Sequence, residues 1–312
     1  MSKELIHLIS FVLVLGVLTD ASGVLPPQWR SQDVGDGVGR RGSASVRRGG
    51  TWTVNGDGHD IWGNSDGFHY VYTLLDGDGE IVARVLSVEN TDSLAKAGVM
   101  IRNTLDADSA NAMAYITPSG RVGWQYRTAV AGDTVSTRSD EGVVTAPHWV
   151  KVSRQGNVIT AQHSSNGVVW EDMVETANPQ KPSFKNILMS QYFYIGLALT
   201  SHSSGAVCEA TFDNVTYVGH AYWPKRAFVP IPADGAIHPY TCATLRWMPG
   251  ETAVSHNVYF GDNFADVAAG TGGTFQGNQS TASFLVGSGV PGELHPGGLV
   301  PGTTYYWRID EV

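Results

Sequence analysis

Cysteine is nearly absent: only Cys208 and Cys242 occur in 312 residues. Two cysteines cannot build a disulfide framework, and neither has a second ligand type at metal-binding spacing. In "GAVCEATFDNV" Cys208 shares its strand face with Ala210 and Phe212, so it reads as a small buried hydrophobe. Charge is sparse as well, at 16% of residues, with a net charge of −9. An acidic surface repels phosphate backbones, which argues against nucleic acid as a partner. The one basic cluster, Arg40-Arg41 and Arg47-Arg48, is interleaved with Gly and Ser and reads as a solvated lead-in. No segment carries a long, capped 3.6-residue period. The weak helical candidates are Ala107–Asn111 and Pro182–Ile187.

Long apolar runs are missing except for Leu5–Leu18, 14 residues, short of the roughly 20 that span a bilayer. Lys3 precedes that run and Ala21-Ser22-Gly23 follow it, the pattern of an export signal over residues 1–23. The expected location is therefore secreted or at the cell surface, with no membrane span after signal removal.

Glycine is abundant, with 37 residues, and hydrophobic residues make up 42% of the chain. Short runs rich in Val, Thr, Tyr and Trp alternate with Asp-Gly, Ser-Gly and Asn-Gly pairs, a pattern that predicts strands joined by tight turns. Eleven candidate strands lie between Thr51 and Val218, among them Phe68–Leu75, Glu80–Ser87, Ala97–Arg102, Ala112–Thr117, Val122–Thr128 and Val168–Val174. The fold class expected is all-β: an antiparallel jelly-roll sandwich over residues 51–218, after a flexible lead-in over 24–50. Strand alternation places Val99 and Ile101, Ala112, Ala114 and Ile116, and Val122, Trp124 and Tyr126 on core faces. Trp149 and Trp170 are expected in the core too. Residues 219–228 read as a linker. Residues 229–312 form a smaller sandwich of the fibronectin type III sort, with strands in "CATLRWMPG", "VSHNVYFGD", "STASFLVG" and "PGTTYYWRIDEV" and with its last strand missing. On that reading the chain is a fragment with further domains, or one sheet edge is left open.

Gly63-Asn64-Ser65-Asp66-Gly67 matches the G-x-S-x-G of a hydrolase nucleophile. That elbow needs a helix after the serine, whereas "FHYVYTLL" follows and is a strand, so Ser65 belongs to a turn. Gly37–Gly42 matches G-x-G-x-x-G but lacks the flanking strand and helix of a dinucleotide site, so it is loop. Asp76, Asp78 and Glu80 in "LLDGDGEIV" are the candidate metal ligands, for calcium. Calcium wants six to eight oxygens, and a plain Asp-Gly hairpin turn is the competing reading. No cofactor is required by any motif. H-E-x-x-H, C-x-x-C and E-x-D-x-x-E do not occur. Glu171, Asp172 and Glu175 are neighbours on a polar edge, and a catalytic carboxylate pair built from distant strands stays open.

The candidate ligand surface is the face opposite the core. Arg84, Arg102, Tyr115, Gln125 and Arg127 would share it, with Trp62, His69 and Tyr72 at its rim. Aromatic rings stack on the C–H faces of sugars, and planar Arg and Gln side chains bond hydroxyls. The competing reading is a solvated face shielded by arginine stems.

Taken in order, "DIWGNSDGFHYVY", "GDGEIVARV", "AKAGVMIRNTL", "GRVGWQYRT", "HWVKVSRQGN", "SSNGVVWE", "YIGLALTSH" and "CEATFDNV" resemble a concanavalin A-like (LamG-like) jelly-roll module. The module is similar to the sandwich at the C-terminus of bacterial β-xylosidases, and the resemblance covers about residues 28–218. Residues 229–312 resemble a fibronectin type III repeat of exported bacterial proteins. The resemblance implies a non-catalytic module that partners a polysaccharide or surface glycan, and it transfers no catalytic residues. The alternatives are a structural spacer in a cell-surface protein and a glycoside hydrolase.

Overall fold

The computed structural model describes residues 23–138, 143–173, 184–221, 223–287 and 297–312. The proposed signal, Glu175 and the end of the Val168–Val174 strand lie outside the described residues.

Four short strands, β1 (Arg30–Val34), β2 (Ser43–Val46), β3 (Trp52–Gly56) and β4 (Asp60–Trp62), precede the long β5 (Ser65–Val88), so the stretch expected as a flexible lead-in over 24–50 instead supplies two paired strands of the sandwich. Then come β6 (Lys96–Arg102), β7 (Asn111–Ile116), β8 (Val122–Arg127) and β9 (Val135–Arg138). They are followed by β10 (His148–Gln155), β11 (Val158–Ser164), β12 (Glu171–Asp172) and β13 (Phe184–Asn186). The set closes with β14 (Tyr192–Thr200) and β15 (Cys208–Ala221). All pairings are antiparallel.

β5 belongs to both layers of the sandwich. Its first half pairs with β1 and β14, and the front layer continues through β6, β7, β8 and β9. Its second half pairs with β10 and β15, and the back layer runs from β2 and β3 to β11 with β12 and β13. The hairpin turn expected at Asp76–Gly79 is therefore a corner inside one strand. Gly77 takes φ 82° there, and the β15 register slips between Gly219 and His220. The glycines let the chain pass between layers instead of reversing.

The alternation expected from sequence holds. Val99, Ile101, Ala112, Ala114, Ile116, Val122, Trp124 and Tyr126 meet Val150, Val152, Ile159 and Phe212 of the back layer in one core. Cys208 is buried in the same core, and Cys242 is exposed; both are free thiols. Ser65 ends a tight β4–β5 turn, opposite Trp62, with Gly63 at φ 61°.

Trp149 and Trp170 depart from expectation, being half-buried on the outer face of the back layer. Arg84 covers Trp149 at 5.6 Å and Lys151 covers Trp170 at 4.2 Å, so cations shield the rings in place of a second sheet. Neither expected helix is present: Asn111 opens β7, and Phe184–Asn186 is a strand. The helix found among the described residues is α1 (Phe264–Ala269), too short to leave a periodic signal.

Downstream, β16 (Phe228–Ile231), β17 (Ala243–Met248) and β20 (Ser283–Val286) form one three-stranded sheet. β19 (Phe275–Gln279), β18 (His256–Gly261) and β21 (Tyr306–Glu311) form another. Leu245, Trp247, Val258, Phe260 and Val286 are buried between them.

Strands of the front layer approach closely at glycine. A Cβ on Gly196 would sit 2.0 Å from the Val71 carbonyl oxygen and 2.7 Å from Tyr72 Cα. Gly196→Ala is expected to cost about 1–3 kcal/mol by overpacking, read as a lower urea midpoint at unchanged m-value.

Candidate functional site

The front layer is buried on both faces, and this relocates the expected ligand surface. Opposite the main core, Phe68, Tyr70, Tyr72, Met100, Met113, Tyr115 and Tyr194 form a second buried cluster. Ile61 and Met248 belong to that cluster, and Leu105, Ala107, Trp223, Phe228 and Val229 pack against it. Arg102, Gln125 and Arg127 have no solvent exposure. Asp66, equally buried, receives Arg127 at 2.6 and 3.0 Å, Arg102 at 3.3 Å and Asn111 Nδ2 at 3.3 Å. Arg127 also donates to the carbonyls of Gly63, Ala107, Ser109 and Gly132, and Arg102 to those of Thr104 and Asp106. Burial pushes the Arg102 guanidinium below its ordinary pKa, against the pull of Asp66. These arginines tie loops onto the sheet and face no solvent. Gln125 likewise donates to the Ile61 carbonyl.

The other expected residues are dispersed. Arg84 sits on the opposite layer, paired with Asp213 through Nε at 2.8 Å. Tyr72 is buried, and its hydroxyl donates to Gln32 Oε1 at 2.9 Å. His69 is buried with Nδ1 2.7 Å from Asp33 Oδ1; burial lowers its pKa while Asp33 opposes that shift. The acidic turn does not converge either. Asp76 accepts from Gln191, Asp78 accepts from the Gly156 amide, and Glu80 lies 4.0 Å from Lys151. Among the described residues no three His, Cys, Asp or Glu side chains are grouped to hold a metal.

Two of the expected residues do meet. Trp62 is 46% exposed beside the β4–β5 turn, and Lys96 Nζ lies 5.7 Å from both its ring and that of Tyr115. Lys96 pairs with Asp60 Oδ1. His202 Nε2 then stands 3.3 Å from Asp60 Oδ2, and its Nδ1 3.3 Å from Asp92 Oδ1. His202 is held at φ 53°, an uncommon conformation for a side-chain-bearing residue and one that clusters at ligand sites. An exposed indole thus borders a line of polar side chains in contact: Lys96, Asp60, His202, Asp92.

Sequence reasoning found Trp62 and Tyr115 but missed Lys96, Asp60, His202 and Asp92. No local pattern marks them: Lys96 pairs with Thr200 in the fold, which brings 96 and 202 together at one end of the two strands.

No family model and no curated protein matches the sequence. Among solved structures, the chain is similar over 62% of its length to 98% of a functionally unknown protein from Saccharomyces cerevisiae, at 16% identity and TM-score 0.48. It is similar over 64% of its length to 38% of the GH43 protein BlXynB from Bacillus licheniformis, at 13% identity and TM-score 0.43. Over 64% of its length it is also similar to 99% of the lectin UEA-II, seen complexed with galactose, at 7% identity and TM-score 0.39.

Proposed function

We propose that this chain is an exported, non-catalytic glycan-binding module: a jelly-roll sandwich built from β1–β15 that engages a polysaccharide or surface glycan, followed by a fibronectin type III-like spacer over 229–312. The observation that carries this reading is the exposed Trp62 ring beside the Lys96–Asp60–His202–Asp92 line. An indole face stacks on the C–H face of a pyranose, and the carboxylate and imidazole groups at its edge bond the hydroxyls, while the buried Lys96 holds Asp60 in place.

The test is retention on insoluble polysaccharides and a glycan array, with calcium and with chelator. Trp62→Ala is expected to weaken binding about 10- to 100-fold, the scale of an aromatic hot spot. The circular dichroism spectrum should not change, because half the ring is already in water. Arg84→Ala, on the opposite layer, should leave binding intact; binding indifferent to Trp62 would overturn the site. Retention lost only in chelator would bring calcium into the mechanism.

A structural spacer is the second reading, favoured by the covering of the front face by Met248, Trp223, Phe228 and Val229. Absence of retention on every polysaccharide in either buffer would select it.

A further inference from the structure

Where the two sandwiches meet, a cleft of about 330 Å³ opens between them. Gln32 of β1, Leu105 and Asp106 of the loop after β6, and Tyr194 of β14 line one wall; Arg246 and Met248 of β17 line the other. The volume lies at the low end of the roughly 300–1,000 Å³ typical of small-molecule sites, and junctions between packed units are a common place for such sites.

The chemistry of the walls is specific. Arg246 Nη1 donates to Asp106 Oδ2 at 2.8 Å, so an ion pair spans the two units. Thr104 Oγ1 donates to the same Asp106 oxygen at 3.0 Å, while Oδ1 is left with acceptor capacity. The pair is just over a third exposed on both sides, at 38% and 39%, so a ligand can reach it. Gln32 accepts the Tyr72 hydroxyl through Oε1, and its amide nitrogen donates to nothing among the described residues. Three planar polar side chains therefore present donors and acceptors together, against an apolar wall of Leu105 and Met248.

We infer that this cleft binds one neutral sugar ring, as a site separate from the Trp62 surface. The carboxylate and guanidinium cancel, so no net positive charge remains to favour a uronate or a phosphate. Adjacent donors and acceptors match the vicinal hydroxyls of a pyranose, and the apolar wall matches its C–H face. The volume admits a single ring and excludes an extended oligosaccharide within the cleft. Because the ligand touches both walls, binding also holds the units together.

The full chain would be titrated with neutral monosaccharides (glucose, galactose, mannose, xylose) and with glucuronate, using saturation-transfer NMR and calorimetry. At least one neutral sugar is expected to bind, in preference to glucuronate. Gln32→Ala and Arg246→Ala should each weaken binding by about tenfold, the scale of a hydrogen bond to a charged or buried group. Trp62→Ala should leave this affinity unchanged, which distinguishes the cleft from the polysaccharide surface. Hydrogen exchange at 228–231 and 246–249 should slow when the sugar is added. If Arg246→Ala separates the units, Gln32→Ala, on an exposed strand position, carries the test alone. Absence of neutral-sugar binding, preference for glucuronate, loss with Trp62→Ala, or full affinity in Gln32→Ala would each overturn the proposal and leave a water-filled seam.

Discussion

Asp66→Ala is expected to destabilise the larger sandwich by about 3–5 kcal/mol, the largest effect of any single change considered. The substitution strands Arg102 and Arg127, both without solvent exposure, next to a neutral methyl group. A guanidinium cannot shed its charge at accessible pH, so the desolvation penalty is not relieved by titration. Backbone carbonyls around both arginines soften the penalty without cancelling a full charge. In thermal unfolding the loss corresponds to roughly 8–15 °C for a domain of this size. The contrast is the Arg84–Asp213 pair, made of the same residue types but 36% and 19% exposed. Arg84→Ala should leave the unfolding midpoint close to that of the parent, because the Arg84 guanidinium is already solvated. An Asp66→Ala protein as stable as the parent would mean the two arginines are not buried as described.

Acid is expected to weaken the fold through a histidine pair in the main core. His148 Nε2 and His163 Nδ1 are 3.1 Å apart, with 7% and 3% of each residue exposed. Burial and the neighbouring His163 hold His148 down to about 4, and burial lowers His163, with Glu171 pulling the other way on both. The unfolded chain titrates near 6.5, so between pH 6.5 and 4 it binds protons that the folded state refuses. Stability from this pair is complete above about pH 6.5, falls as pH drops, and is exhausted below about 4. At about 1.4 kcal/mol per unit over that window, the loss from His148 is on the order of 3 kcal/mol. Urea unfolding from pH 7.5 to 4 should show it, with His148→Gln flattening that slope. An identical slope in parent and variant would remove the pair from the account.

Much of the fold was legible in the residues. Period-two alternation assigned the core face of β6, β7 and β8, because side chains on a strand point alternately to its two sides. The Gly-Asn-Ser-Asp-Gly turn could be told from a hydrolase elbow by the aromatic, β-branched run after it. The site was less legible, for a physical reason. Alternation tells which residues share a face but not what lies above that face. Arg102, Gln125 and Arg127 share one as expected, yet Asp66 lies 36 and 61 residues away from its two arginines, and Ile61, which receives Gln125, lies 64 away. An arginine on a strand reads as solvated until its buried counter-ion is placed, and only the tertiary fold places it. The same holds for His202, which follows β14 where that strand ends beside the start of β6 and from there reaches Asp60 and Asp92. Local pattern determined the strands, the turns and the core. Long-range packing decided which polar side chains were left facing water, since exposure is a property of what covers a residue, and the covering segments are remote in sequence.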